Sequence, residues 1–126
     1  MDFKLTEDQQ AFQKTARDFA QSELPEAAQI CETEALPPTH ELIRKYGEMG
    51  FLGINVPEEY GGLGLGNIDA LIVLEEFAKI SSAIAFPVFE SCVGPVKAIE
   101  HFAEDSLKKR VIPEVCSGEK IVAVAM

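Results

Sequence analysis

Gly50-Phe51-Leu52-Gly53-Ile54-Asn55-Val56-Pro57-Glu58-Glu59-Tyr60-Gly61-Gly62-Leu63-Gly64-Leu65-Gly66 divides the chain into two helical halves. Seven of the nine glycines lie between Gly47 and Gly66. Glycine tolerates positive φ and close backbone approach, so such a cluster marks one elaborate connection. Phe51, Leu52, Ile54, Val56, Leu63 and Leu65 are threaded through it. A solvated linker has no use for that apolar surface, so the stretch is expected to pack onto the helices it joins. The run Gly61 to Gly66 invites a phosphate-cradle reading. No β-strand feeds it, however, and Gly-x-Gly-x-x-Gly spacing with a following Lys is missing.

Upstream, Thr6 followed by Gln9 forms a capping box, and Phe12, Ala16, Phe19 and Ala20 recur at helical spacing. Pro25 ends that helix and can open a short second one through Ala28 and Ile30. Pro37-Pro38 closes it, Thr39 can cap a third helix with Leu42, Ile43, Tyr46 and Met49 as its stripe, and Gly50 suits the left-handed stop. Downstream, Asn67 is a plausible cap for a helix through Ile80 that is apolar nearly all round, which makes it the expected centre of the bundle. Ser82 can cap a fifth helical region to about Phe102, with Gly94-Pro95 expected to kink or divide it. A last helix runs from about Glu104 to Ser117, with Gly118 as its stop and Pro113 interrupting its pattern. The reading is all-α: a bundle of about five or six helices, a long glycine-rich connector and a C-terminal stub strand.

That strand is Ile121-Val122-Ala123-Val124-Ala125-Met126, apolar and rich in β-branched residues. One strand cannot make a sheet, because its ladder groups go unpaired. Either its partners lie in a continuation of the chain or the tail pairs with another chain. The chain is therefore expected to be a piece of a longer one, with residues 1–118 as a helical domain and 119–126 as the first strand of a following β-domain.

With 126 residues, 47% hydrophobic and 25% charged, the chain suits one globular domain. A net charge of −10 argues against nucleic acid, and only Lys108-Lys109-Arg110 clusters cations. Cys31, Cys92 and Cys116 form no Cys-x-x-Cys and read as buried thiols; His40 and His101 stand alone, so no metal site is expected. No apolar run approaches the roughly 20 residues of a membrane span. Met1-Asp2-Phe3-Lys4 is not a secretion segment, so a cytoplasmic location is expected, or the mitochondrial matrix in a eukaryote.

Four segments in order carry a family resemblance: Leu5-Thr6-Glu7-Asp8-Gln9, Phe51 through Gly64, Leu74-Glu75-Glu76-Phe77-Ala78, and Pro113-Glu114-Val115-Cys116-Ser117-Gly118-Glu119. The whole chain resembles the N-terminal helical domain of the acyl-CoA dehydrogenases. The resemblance implies a flavoprotein of three domains that oxidises acyl-CoA thioesters, with FAD between the other two domains and a catalytic glutamate supplied from outside this sequence. No catalytic residue is therefore assigned here. Glu58-Glu59 and Glu75-Glu76 read better as solvated faces and caps. Val124, Ala125 and Met126 match the strand entering the family's cofactor motif and hold the one claim on FAD contact, although such a strand is structural by default. FAD is not expected on this chain alone. The segment around Phe86, Pro87 and Glu90 matches the wall of the acyl pocket. Bulk at Phe86 and Pro87 would favour short or cyclic acyl groups; alternatively Phe86 and Phe89 are bundle core, and Glu90 is either surface or a tuned polar group. The implied partners are an acyl-CoA substrate, an electron-transfer flavoprotein or similar acceptor, and a second copy of the chain in a homo-oligomer. Acyl-CoA oxidases and related flavin monooxygenases share this domain, and a free-standing helical interaction module is the rival from another class.

Overall fold

The computed structural model describes residues 3–125. Helix α1 (Glu7–Glu23) starts where the sequence places it: the Thr6 hydroxyl accepts the Gln9 amide at 3.2 Å, and Gln9 Oε1 accepts the Thr6 amide at 3.1 Å. Pro25 opens α2 (Pro25–Glu34), and Thr39 caps α3 (His40–Glu48), which stops at Gly50 with φ +79°. After a 3-10 turn (Glu58–Tyr60) come α4 (Asn67–Ala78), α5 (Ser82–Cys92), α6 (Pro95–Phe102) and α7 (Asp105–Cys116). The described residues thus hold seven α-helices, because Gly94-Pro95 divides the fifth region completely. Pro113 lies inside α7 without ending it.

Two caps fall one residue before their expected places. Gly66 caps α4, its amide donating to Asp69 Oδ2 at 2.8 Å, because the Asn67 side chain is engaged elsewhere: Asn67 Oδ1 accepts from Asn55 Nδ2 at 2.7 Å. Ser81 caps α5 by accepting the Ala83 amide, and its hydroxyl also donates to Glu32 Oε1 at 2.9 Å.

Helix α4 lies between α1 and α5, as its apolar character implies. Fully buried Ala16 and Ala20 let α1 approach Ala70, Val73 and Phe77 closely. The expectation that α4 is surrounded by protein fails on one strip, however. Two flanking helices do not cover the whole circumference, and Ile68 and Leu71 are exposed.

The core has two parts. The larger holds a knot of aromatic rings in which Phe77 meets Phe19, Tyr46 and Phe51 at centroid distances of 5.7, 5.0 and 5.2 Å. The smaller joins Val56, Val96, Ile112, Val115 and Cys116. The glycine-rich loop bridges them, since Phe51, Leu52 and Ile54 enter the first and Val56 the second. It folds back on itself through amides of Leu63 to Gly53 (2.8 Å), Gly64 to Val56 (2.9 Å) and Leu65 to Ile54 (2.9 Å). Gly62 is required by close approach: a Cβ there would lie 2.0 Å from the Val56 carbonyl oxygen. The loop is a packed connector, although Leu63 and Leu65 at its far end face solvent.

By length and composition alone, residues 82–102 pass for a membrane span. They form two helices broken at Gly94, with Ile84, Val88, Cys92 and Val96 in the core. No strand forms among the described residues; Ile121 to Ala125 find no ladder partner. All three cysteines are free and buried.

Candidate functional site: the outer face of helix α5

Helix α5 reads Ser82-Ala83-Ile84-Ala85-Phe86-Pro87-Val88-Phe89-Glu90-Ser91-Cys92, apolar on nearly every side. Two tethers choose which side is buried. The Tyr46 hydroxyl, deep in the core, donates to the Ile84 carbonyl at 3.1 Å, and the Cys92 thiol donates to the Phe51 carbonyl at 3.4 Å. Ile84, Ala85, Val88 and Cys92 therefore turn inward. Phe86 and Phe89, three residues apart on the opposite side, remain 54% and 39% exposed, with ring centroids 5.4 Å apart. The two phenylalanines are not bundle core.

Glu90 follows Phe86 by one turn and is half-buried, with no hydrogen bond or ion pair among the described residues. Burial alone pushes its carboxyl above the usual carboxylate range. Pro87 is buried, and together with Glu90 it lines a crevice closed by Leu52, Val115, Ile121 and Val122. The crevice offers about 10 Å³, the room of one water. The structure thus brings Pro87 and Glu90 together, while Phe86 stands outside that crevice beside Phe89.

Val124 and Ala125 are exposed and make no backbone hydrogen bond among the described residues; Met126 lies outside them. Their open backbone is free to meet a further element or a cofactor. The glycine-rich loop does not fit a flavin's phosphates, because the amides of Gly62, Leu63, Gly64 and Leu65 all donate within the loop. Among the described residues no three His, Cys, Asp or Glu side chains group as a metal site.

One polar cluster escaped the sequence reading. Glu76 is not a solvated helix-end residue: it is 3% exposed, and Arg17 holds it from α1 through Nε (3.1 Å to Oε2) and Nη2 (3.0 Å to Oε1). Lys79 adds a third contact at 2.8 Å. Hydrogen bonds from Arg17, and then from Lys79, hold the Glu76 carboxyl below the usual range against the opposing effect of burial. A carboxylate so neutralised ties α1 to α4 and is poorly suited to take a proton. Its neighbour Glu75 does lie on a solvated face. A second pin holds the loop: Lys97 on α6 donates to the Asn55 carbonyl at 2.8 Å and to Glu100 at 2.6 Å.

The family model of the acyl-CoA dehydrogenase N-terminal domain matches residues 6–119. The chain belongs to this family. A glutaryl-CoA dehydrogenase of Desulfococcus multivorans is 36% identical over 121 residues, covering 94% of this chain and 31% of that protein. The fold matches a glutaryl-CoA dehydrogenase in complex with glutaryl-CoA at a TM-score of 0.87 and 36% identity, over 96% of this chain and 31% of the other. It also matches an acyl-CoA dehydrogenase of Bacillus anthracis complexed with FAD, at a TM-score of 0.83 and 27% identity, over 93% and 20% of the two chains. The chain thus spans about a third or less of the length of these acyl-CoA dehydrogenases. Proteins of this family named acyl-CoA dehydrogenases are FAD-dependent oxidoreductases, and this chain is their helical N-terminal domain.

Proposed function

We propose that the chain forms one wall of the acyl pocket in an FAD-dependent acyl-CoA dehydrogenase, which removes hydrogen from Cα and Cβ of an acyl-CoA thioester. The observation that carries this reading is the outward pair Phe86 and Phe89 beside unpaired Glu90, an apolar surface that the bundle leaves uncovered. When bound, FAD would supply the hydride acceptor for that reaction. On this reading, residues 1–118 are the wall and 119–126 lead into a β-domain, with Val124, Ala125 and Met126 approaching the cofactor. Exposed backbone at Val124 and Ala125 supports that assignment.

Abstraction of the α-proton needs an accessible, positioned carboxylate. Glu76 is neutralised by Arg17 and Lys79, and Glu58, Glu59 and Glu75 are exposed on other elements. On this reading the base comes from beyond these residues, as the family resemblance implies. What the chain itself does is bind and shape: Phe86, on the open side of α5, limits the room for the acyl tail, while Pro87 and Glu90 line the crevice beside it. An electron-transfer flavoprotein or similar acceptor, and a second copy of the chain, complete the proposed assembly.

The test is the chain-length profile of the full-length holoenzyme, wild type against Phe86→Ala, from butyryl-CoA to octanoyl-CoA. Removing the ring should raise kcat/KM for the longer substrates about tenfold or more relative to butyryl-CoA, since even one methylene in an apolar pocket is worth about that much. An unchanged profile overturns the assignment of α5 to the pocket.

A further inference from the structure

Helices α1, α2 and α3 border an open groove of about 450 Å³ on another part of the molecule. It shares no residue with the crevice where Ile121 and Val122 meet α5. Its floor is formed by Ala27, Ile30, Leu36 and Leu42, of which Ile30 and Leu36 stay 42% and 51% exposed. Two large aliphatic side chains left open at a recess of this size are seats for the apolar anchors of a partner. Three carboxylates, Glu23, Glu26 and Glu41, stand around that floor. The one cation of the lining, Lys45, lies 3.4 Å from Glu23, which leaves Glu26 and Glu41 to set the sign of the rim.

The groove is also preformed. Ala35 ends α2 with φ +53°, the one positive φ outside glycine among the described residues. An L residue takes up that conformation only at a cost. Pro37 and Pro38 then fix the backbone beyond it, so the turn that carries Leu36 is stiff. A surface already held in shape loses little ordering entropy when it binds.

We propose that this groove docks an amphipathic helix of a partner protein, one whose apolar anchors are flanked by lysine or arginine. The anchors seat on Ile30 and Leu36, and the flanking cations meet Glu26 and Glu41. Charge of one sign around an apolar seat selects basic segments and turns acidic ones away. The chain's net charge of −10 draws any cation toward it without choosing a place, whereas the exposed floor chooses one. This docking site is independent of the acyl-pocket reading.

The probe is a fluorescein-labelled Leu/Lys peptide of about four helical turns, with leucines at i, i+3, i+4 and i+7. Its anisotropy is followed against both the 126-residue chain and the full-length holoenzyme. A dissociation constant below about 100 μM is expected for both, weakening severalfold between about 0.05 and 0.5 M salt. Glu26→Lys with Glu41→Lys should weaken binding about tenfold or more. Glu58→Lys with Glu59→Lys makes the same change in net charge at exposed sites on the 3-10 turn and should leave binding unchanged. Ile30→Ser and Leu36→Ser lie at open positions, should keep the far-UV circular dichroism of wild type, and should each weaken binding about tenfold. A Leu/Glu peptide of the same pattern should not bind. Equal weakening by the two double reversals would show attraction to net charge alone and overturn the proposal. So would weaker binding than about 100 μM, indifference to Ile30→Ser and Leu36→Ser, or binding of the Leu/Glu peptide. Binding by the 126-residue chain but not by the holoenzyme would show the groove covered in the complete protein, which overturns it as well.

Discussion

Two phenylalanines on adjacent helices, Phe77 and Phe86, are expected to behave oppositely when cut to alanine. Phe77 is fully buried, and its ring touches those of Phe19, Tyr46 and Phe51 at 5.7, 5.0 and 5.2 Å. Phe77→Ala removes the ring's transfer energy and leaves a hole bounded by three rings that cannot all collapse into it. The expected cost is about 3–5 kcal/mol, the range for a buried aromatic truncation. A domain of this size has about 5–15 kcal/mol in all, so the variant should lose roughly a fifth or more of its stability. At about 3–5 °C per kcal/mol, the melting temperature should fall by about 10–25 °C. Phe86 is 54% exposed, and Phe86→Ala should stay within about 0.5 kcal/mol of wild type.

Urea unfolding followed by far-UV circular dichroism measures both, and parallel slopes would show that the change lies in stability and not in the denatured state. Phe77→Leu, which keeps most of the volume, should fall between wild type and the alanine variant. A Phe77→Ala loss below about 1 kcal/mol, or a Phe86→Ala loss as large, would mean that the inner and outer faces are wrongly assigned.

Two further perturbations probe the charges and the loop. Arg17 depresses the folded-state pKa of Glu76, so that contribution to stability is present above the ordinary glutamate value of about 4.3 and is lost as pH falls through the folded value. Burial raises the pKa of Glu90, so its penalty appears as pH rises through the same region. Glu76→Gln should therefore destabilise and Glu90→Gln stabilise at pH 7, with both differences shrinking in urea melts at about pH 3.5; equal signs at pH 7 would refute the pairing. In the loop, Gly61 has φ +88° with open space around it, so Gly61→Ala should cost about 1–2 kcal/mol of backbone strain. Gly62→Ala, which drives a methyl group into the Val56 carbonyl, should cost about 3 kcal/mol or more, and a reversed order in denaturant midpoints would contradict the packed loop.

Features that depend on a few neighbouring residues were legible from the sequence. The Thr6 and Gln9 capping box, Pro25 at a first turn and Gly50 as a left-handed stop all follow from short-range chemistry. Glu76 was readable but missed. It follows buried Ile72 and Val73 by four and three residues, which places it on the inward stripe of α4, whereas adjacent Glu75 is turned by about 100° to solvent. Its partner Arg17 lies 59 residues away, and nothing local to either residue announces the pair.

The outward face of α5 was not legible, for a different reason. Ile84, Phe86, Val88 and Phe89 are all apolar, so periodicity gives no preferred side. What decides the side is the contact of α5 with α3 and the glycine-rich loop. Tyr46 fixes one end through the Ile84 carbonyl, and the loop's Phe51 carbonyl fixes the other through Cys92. With both ends pinned, rolling α5 to hide Phe86 and Phe89 would break two buried hydrogen bonds and bring Glu90 toward the core. Leaving a buried polar group unpaired costs about 1–3 kcal/mol each, which is comparable to the gain from covering a phenylalanine ring. The exposed pair is thus held outward by the same loop that joins the two cores, so the loop sets the orientation of the proposed acyl wall without contributing any chemistry of its own.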